Sequence, residues 1–295
     1  MHDCPICGRE TADIGSVRSE FSQVDFLFRQ CQACGLSFVA NPRIDYGALY
    51  DAEYYRGRGA DTFVNYIDEM ENPRTVREYE WRGITRSVRG LCGSANVKWL
   101  DFGCGLGGLV RHAKKAGFEN IYGFDEGYSA QWAADAGMPL LDKDALAEHA
   151  GTFDVITAIE VIEHVTDPLG LMQQIATLLK PGGIFFLTTG NAEPHRDSLT
   201  RWSYVHPDVH VAYFEPRTLT ELYHRVGLEP FSAGFVPGYE DIIRYKVLKT
   251  LKLSSRNVLE RLVPWKLVSR VANRRHGVTA QPFARKPVGP PTGMS

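Results

Sequence analysis

The sequence predicts an α/β fold, a doubly wound and mainly parallel sheet preceded by a small cysteine-bearing ribbon. Two observations carry this expectation. Between Asn96 and about Phe235, apolar runs (VKWLDF, IYGFD, FDVITAIEV, GIFFLTT) alternate with amphipathic stretches of helical period. Alternation of this kind builds βαβ units, in which each crossover helix returns the chain to a parallel neighbour. Ahead of it, two C-x-x-C pairs lie in a hydrophilic stretch punctuated by Gly and Pro. Four segments follow from these changes of pattern: 1–44, 45–95, 96–237 and 238–295.

Segment 1–44 contains Cys4-Pro-Ile-Cys7-Gly and Cys31-Gln-Ala-Cys34-Gly. The glycine after each pair lets backbone amides turn back toward the sulfurs. Cys4, Cys7, Cys31 and Cys34 can therefore close a tetrahedral thiolate site, and the expected ion is zinc. A redox reading needs one pair and leaves the other unexplained. A closed four-cysteine site has no open position for chemistry, so the ion is expected to be structural, holding a segment too small to build its own core. Cys92 and Cys104 are expected to be ordinary packed thiols.

Segment 45–95 is rich in Tyr and Arg and reads as a helical cap. Tyr46, Tyr50, Tyr54, Tyr55 and Tyr66 precede a helical stretch bearing Arg74, Arg77, Arg82 and Arg86. Packing of the cap onto the main domain accounts for these aromatics; a contact from Tyr54 or Tyr55 to a bound ligand is the alternative.

Segment 96–237 carries the binding motif WLDFGCGLGG. Trp99 to Phe102 end a strand, Gly103, Gly105 and Gly107 or Gly108 make a tight turn, and LVRHAKKAG reads as a helix. Glycines at such a turn let the backbone approach a ligand closely. The spacing also fits a dinucleotide fingerprint, and Asp125, about twenty residues on, fits either ligand by holding ribose hydroxyls. Charge separates the two. Asp101 stands two residues before the first glycine, where a pyrophosphate would meet it at a cost of ~1–4 kcal/mol for effective dielectrics of about 80 to 20. S-adenosylmethionine has no phosphate, and its ammonium and sulfonium are attracted by an anion.

DFGCGLGG, the acid of YGFD, FDVITAIEVIEHV and the later LLKPGG together resemble the successive motifs of class I S-adenosylmethionine-dependent methyltransferases, over roughly Val97 to Val236. The cysteine knuckle and a Tyr-rich stretch such as LYDAEYY are similar to bacterial small-molecule and sugar methyltransferases. The resemblance implies a Rossmann-like domain over 96–237. It places Asp101, Gly103, Gly105 and Gly107 around the methionine and ribose parts of the cofactor, with Asp125 on the ribose. It sets Asp144, Ala145 or Leu146 beside the adenine, and Glu160 under the reactive end.

Methyl transfer is an in-line displacement at an activated carbon, so alignment and exclusion of water dominate. A carbon acid or sugar hydroxyl also needs a base. Candidates cluster after the run GIFFLTT: His195, His206 and His210 fall within GNAEPHRDSLTRWSYVHPDVHVAYFEP, with Trp202, Tyr204, Tyr213 and Phe214. His210, flanked by Val209 and Val211, is the preferred base and His206 the second; surface or capping histidines in a long loop are the alternative. His164 in EVIEH suits a hydrogen bond beside the pocket or catalysis. A catalytic metal is not expected, because the histidines lack a neighbouring acidic cluster and Pro207 disrupts an H-x-x-x-H helix face. The end of the run FDVITAIEV reads AIEVIEHV rather than a [DNS]PP[YFW]-like motif, which speaks against adenine N6 chemistry.

Segment 238–295 is basic. From Arg244 to His276 it has ten Lys/Arg and one acid, a net +9, so the remainder of a chain of net charge −2 carries −11. Apolar pairs at Val258/Leu259, Leu262/Val263, Leu267/Val268 and Val271/Ala272 give a helical apolar face ringed by Arg256, Arg261, Lys266, Arg270 and Arg274. Such a face packs on its own domain, rests on an anionic membrane or attracts phosphate-bearing substrates. The last stretch, ARKPVGPPTGMS, reads as disordered. No run approaches the ~18 apolar residues of a membrane span, and MHDCPICGRE lacks the apolar core of a secretory signal; the expected location is the cytoplasm, at most at the inner membrane surface. Nucleic acid is not an expected partner, since the body of the protein is acidic. The expected function is methyl transfer from S-adenosylmethionine to oxygen or carbon of a small molecule, such as a sugar or glycan intermediate. The competing readings are an acceptor on tRNA or protein, a non-catalytic zinc-ribbon binding protein and, last, a nucleotide-dependent oxidoreductase.

Overall fold

The computed structural model describes residues 3–43, 45–62, 64–231, 238–256, 259–269 and 283–288. Strands β1 (Ala12–Arg18), β2 (Asp25–Gln30) and β3 (Ser37–Val39) come first. Helices α1 (Tyr46–Leu49), α2 (Ala52–Tyr55), α3 (Tyr66–Glu71) and α4 (Arg77–Cys92) follow. The alternating region then runs β4 (Trp99–Phe102), α5 (Gly108–Lys115), β5 (Ile121–Phe124), α6 (Gly127–Asp135), α7 (Lys143–Ala147), β6 (Phe153–Ile159). It continues with α8 (Pro168–Leu178), β7 (Leu179–Thr188), β8 (Ala212–Tyr213), α9 (Pro216–Arg225) and β9 (Glu229–Phe231). Helix α10 (Tyr239–Thr250) and strand β10 (Phe283–Arg285) complete the chain. Short 3-10 turns at Ile162–His164 and Glu193–Arg201 matter for the site.

The chain forms two compact units that do not follow the four sequence segments. The first gathers the described residues of 1–49, 147–232 and 279–295. In it β1, β2 and β3 are antiparallel, and β3 pairs with β8 through Ser37↔Tyr213 and Phe38↔Ala212. Phe26, Phe28, Val39, Leu199, Val211 and Tyr213 share one core beneath this sheet. The ribbon therefore shares its core with residues some 170 positions away instead of standing alone, because three short strands cannot bury an apolar face unaided. Strands β6 and β7 run parallel, and β6 is buried along nearly its whole length, as expected of a strand covered on both faces.

The C-terminal stretch corrects an expectation. Ala284 and Arg285, read as part of a disordered end, belong to β10, which pairs antiparallel with β7 on one side and β9 on the other. Lys286 fixes it further, its Nζ donating to the carbonyls of Ala176 at 2.7 Å and Leu179 at 2.8 Å. An unpaired β7 edge exposes backbone donors and acceptors, and that demand outweighs the weak local propensity of the segment.

The second unit gathers the described residues of 50–146 and 233–278. Strands β4 and β5 pair in parallel from Trp99↔Ile121 to Phe102↔Phe124. Helix α10 packs along α4: Ile242 meets the α4 surface at Gly83, and Val76, Tyr79, Tyr245 and Leu248 form a common core. Charge locks the pair, Arg82 holding Asp241 bidentately at 2.9 and 2.6 Å. The cap and the start of the basic tail thus belong to one unit. Of the tail's apolar face, Leu262 and Leu267 are exposed, while Val258, Arg270, Val271, Ala272 and Arg274 lie outside the described residues. Among the described residues no helix is long and apolar enough to cross a membrane.

Candidate active site

The glycine turn is built on the paired ends of β4 and β5. The amides of Gly103 and Cys104 both donate to the Phe124 carbonyl, at 2.8 and 3.0 Å, stapling the turn to the end of β5. Gly103, Gly105 and Gly107 have φ of 72°, 53° and 78°, a left-handed run that other L-residues adopt at a cost of ~1–2 kcal/mol each. Around Gly105 a side chain would meet nothing within 4 Å, so its surface faces open space. Gly108 is different: a Cβ there would lie 2.2 Å from the Trp81 ring of α4. The turn is thus fixed from below and open above.

Two carboxylates border it. Asp101 is 3% exposed. Asp125 accepts the Gly105 amide at 2.6 Å through Oδ2, and the Glu126 amide and Ser129 hydroxyl at 2.7 and 2.9 Å through Oδ1. Burial pushes its carboxyl up from the ordinary value while these three donors pull it down. Tyr55, whose phenol is pushed up by burial and by the Asp125 charge, stacks on Tyr128 at 5.5 Å. Tyr54 stacks on Tyr66 at 5.6 Å, so the cap aromatics pack mainly on one another. Tyr46 belongs to the other unit, donating its hydroxyl to the His164 carbonyl at 3.2 Å. On α7, Asp144 is exposed and Ala145 half-buried, and the Ala145 amide is taken by Asp142 Oδ1 at 2.8 Å.

In the first unit the end of β6 forms a polar cluster. Glu160 has φ 55°, a left-handed backbone for a residue with a side chain, and strain of this kind concentrates at functional sites. The chain then turns at Ile162–His164 and is clamped to the segment 209–211. The Val211 amide donates to the Glu163 carbonyl at 2.8 Å, and His164 Nδ1 donates to the Val209 carbonyl at 3.0 Å. His210, between those two contacts, lies with its ring 4.7 Å from that of His164. Its Nδ1 donates to the Tyr204 carbonyl at 2.9 Å. The Tyr204 hydroxyl meets Glu163 Oε1 at 2.5 Å and Glu160 Oε2 at 3.2 Å.

The sequence-derived candidates Glu160 and His210 are therefore brought into one cluster, and His206 lies at its edge, its ring 6.1 Å from that of His210 and its Nε2 donating to the Ser203 carbonyl at 3.0 Å. His195 stacks on Trp202 at 4.4 Å. Burial, then the nearby His164, hold His210 down to about 4. It is neutral near pH 7 and a weak proton acceptor. Burial, then Glu160, push Glu163 up to about 7. The expectation that the histidines lack acidic neighbours is corrected: Glu163 is fully buried, and it offers an oxygen within 4.8 Å of ligand nitrogens on His164 and His210. Sequence reasoning passed over Glu163. The available signal was its place three residues after Glu160 and directly before His164 in E-x-x-E-H.

The four N-terminal cysteines converge. Cys4 and Cys34 sulfurs are 3.5 Å apart, Cys7 and Cys31 sulfurs 3.4 Å, and all four lie within 4.8 Å of one another. Gly8 and Gly35 have φ of 68° and 83°, and their amides donate to the carbonyls of Cys4 and Cys31 at 2.9 Å. Four thiols at these spacings fit a tetrahedral ion with metal–sulfur bonds of about 2.3 Å. Cys104 is buried beneath β5, against Gly123.

Residues 73–233, more than half of the chain, match the methyltransferase-domain family. The ubiquinone biosynthesis O-methyltransferase of Vibrio parahaemolyticus is 39% identical over 104 residues, covering 32% of this chain and 44% of that protein. Its counterpart from Caulobacter vibrioides is 41% identical over 102 residues, covering 31% and 40%. The matched region thus spans less than half the length of either relative. Magnesium protoporphyrin IX methyltransferase from Synechocystis PCC 6803, solved with bound SAH, overlaps 62% of this chain and 86% of its own at 16% identity, with a TM-score of 0.45. The family match over residues 73–233 contains the whole glycine turn and both acids beside it, and the chain belongs to the class I S-adenosylmethionine-dependent methyltransferases.

Proposed function

We propose that the protein transfers the methyl group of S-adenosylmethionine to an oxygen or carbon of a small molecule. The observation that carries this reading is the pairing of a left-handed glycine turn with two carboxylates, Asp101 buried two residues before its first glycine and Asp125 bonded to Gly105. Crevices outside the carboxyl ends of parallel strands are where such folds bind ligands, and carboxylates there favour a cationic adenosyl ligand over a diphosphate. On this reading Asp101, Gly103, Gly105 and Gly107 surround the methionine part and Asp125 holds the ribose. Asp144 and Ala145 border the adenine, and Glu160 serves the reactive end. In the reaction a lone pair of the acceptor attacks the methyl carbon, the carbon–sulfur electron pair returns to sulfur, and the cofactor leaves as a neutral thioether.

We assign the acceptor side to the Glu160, Glu163, Tyr204 and His210 cluster, with His206 at its margin. The relatives named as ubiquinone biosynthesis O-methyltransferases favour oxygen as the acceptor atom; a quinone precursor and a sugar or glycan hydroxyl are the two classes to try. The four cysteines are proposed to hold a structural zinc ion, and the exposed apolar residues of the basic tail to allow peripheral membrane contact. The test is transfer of labelled methyl from S-adenosylmethionine to hydroxylated benzoquinone precursors and to sugar nucleotides in parallel. The reading requires product that falls at least tenfold with Asp125→Ala; absence of transfer to any hydroxylated small molecule removes it.

A further inference from the structure

The cluster at the end of β6 holds ligand chemistry that a simple proton acceptor does not need. Glu163 is 0% exposed, and its Oε2 meets no hydrogen-bond donor. Its Oε1 shares the single Tyr204 proton with Glu160, so one hydroxyl hydrogen stands between two carboxylates. Among the described residues no lysine or arginine pairs with Glu163. A buried carboxylate in this state is costly, and it is neutralised either by taking up a proton or by gaining a positive partner.

The tautomers of the two imidazoles suit that partner. Nδ1 of His164 faces the Val209 carbonyl and Nδ1 of His210 faces the Tyr204 carbonyl. A carbonyl can only accept, so each Nδ1 carries the proton and each Nε2 carries the lone pair. Metal-ligating histidines are commonly held in this way, the second nitrogen fixed by a backbone acceptor. The clamp between Ile162–His164 and 209–211 sets these rings from the backbone, before any ion arrives.

We propose that Glu163, His164 and His210 bind one divalent first-row transition ion, with Glu160 beside it. Each residue offers one ligand atom, and these atoms lie within 4.8 Å of one another. Two imidazoles and one carboxylate suit zinc, manganese, iron or cobalt, whereas magnesium and calcium favour all-oxygen sites. Three protein ligands leave positions open, in contrast to the closed set of four cysteines. The use of the ion rests on the methyl-transfer reading: an acceptor hydroxyl in an open position loses its proton more easily, the proton passing to Glu160. Binding of the ion does not rest on that reading.

The test is the metal content of the full chain after exposure to excess Zn2+ or Co2+ and removal of loosely bound ion, measured by elemental analysis. Glu163→Gln and His210→Ala should each hold one equivalent fewer than the unaltered protein. Cys4→Ser should lose a different equivalent. In the cobalt form the thiolate charge-transfer absorption should persist in Glu163→Gln while the remaining ligand-field absorption falls. Glu163→Gln keeps the shape of the side chain and an acceptor for Tyr204, and circular dichroism checks its fold. Equal metal content in the unaltered protein and both cluster variants overturns the proposal, whether or not methyl transfer is detected.

Discussion

At the scale of single residues, the turn before α5 and the end of β6 show two different uses of constraint. Gly108 has no room for a side chain because the Trp81 ring occupies that space. Gly108→Ala should therefore destabilise the fold by about 1–3 kcal/mol through overpacking, measured by chemical denaturation, and Trp81→Ala combined with it should recover part of that loss. A fully additive pair would show that the two do not meet. Glu160 presents the opposite case, a long side chain on a left-handed backbone with φ 55°. Glu160→Gly should stabilise the protein by about 1 kcal/mol by removing that strain, while methyl transfer falls at least tenfold. Loss of stability in this variant would mean that the carboxylate itself, and not only function, holds the turn.

At the scale of elements, two junctions carry the long-range organisation within each unit. The first joins the cysteine ribbon to α9. Glu215, 1% exposed, takes Arg196 at 2.7 Å and Arg217 at 2.8 Å, and Thr218 donates to the Cys34 carbonyl at 2.7 Å. Burial raises the Glu215 carboxyl, but the hydrogen bonds from Arg196 and Arg217 and their charges together hold it below its ordinary value. A depressed folded pKa contributes stability that is present above the unfolded value of about 4.3 and is lost as pH falls through the folded one. Urea midpoints should drop between about pH 5 and 3 in the unaltered protein, and Glu215→Gln should flatten that slope; an unchanged slope would place the acid sensitivity elsewhere. The second junction is α4 with α10. Asp241 is 5% exposed and is held by Arg82 and by Arg86 at 3.1 Å. Because both arginines are more than a third exposed, solvent screens the pair, and Asp241→Asn should cost about 1 kcal/mol in unfolding free energy. A loss above ~3 kcal/mol would instead mark a desolvated pair.

At the scale of the whole molecule, what could be read from the sequence was what is written locally. The glycine turn, Asp101 and the paired cysteines are short patterns whose chemistry follows from spacing alone, and the alternation of apolar runs was enough to indicate an α/β architecture. Glu163 was harder to see because its meaning depends on Tyr204 and His210, which lie more than forty residues away and arrive only when 209–211 pairs with the turn after β6. Strand β10 was missed for a related reason. Three residues in a Pro/Gly-rich stretch have no period to detect, and the vacant edges of β7 and β9 decide their conformation. The ribbon looked independent because its cysteines are self-contained, yet its apolar faces are completed by β8 and by Leu199. The division into two units likewise reflects contacts between α4 and α10 that no local signal announces.

On the proposed reading, the carboxylate-bordered glycine turn selects a sulfonium cofactor over a dinucleotide, and calorimetric titration of the full chain with S-adenosylmethionine, and separately with NAD, decides between them. Micromolar binding of S-adenosylmethionine, weakened at least tenfold by Asp125→Ala and by Asp101→Asn, with no heat from NAD, is the predicted result. Saturable binding of NAD with none of S-adenosylmethionine would contradict it.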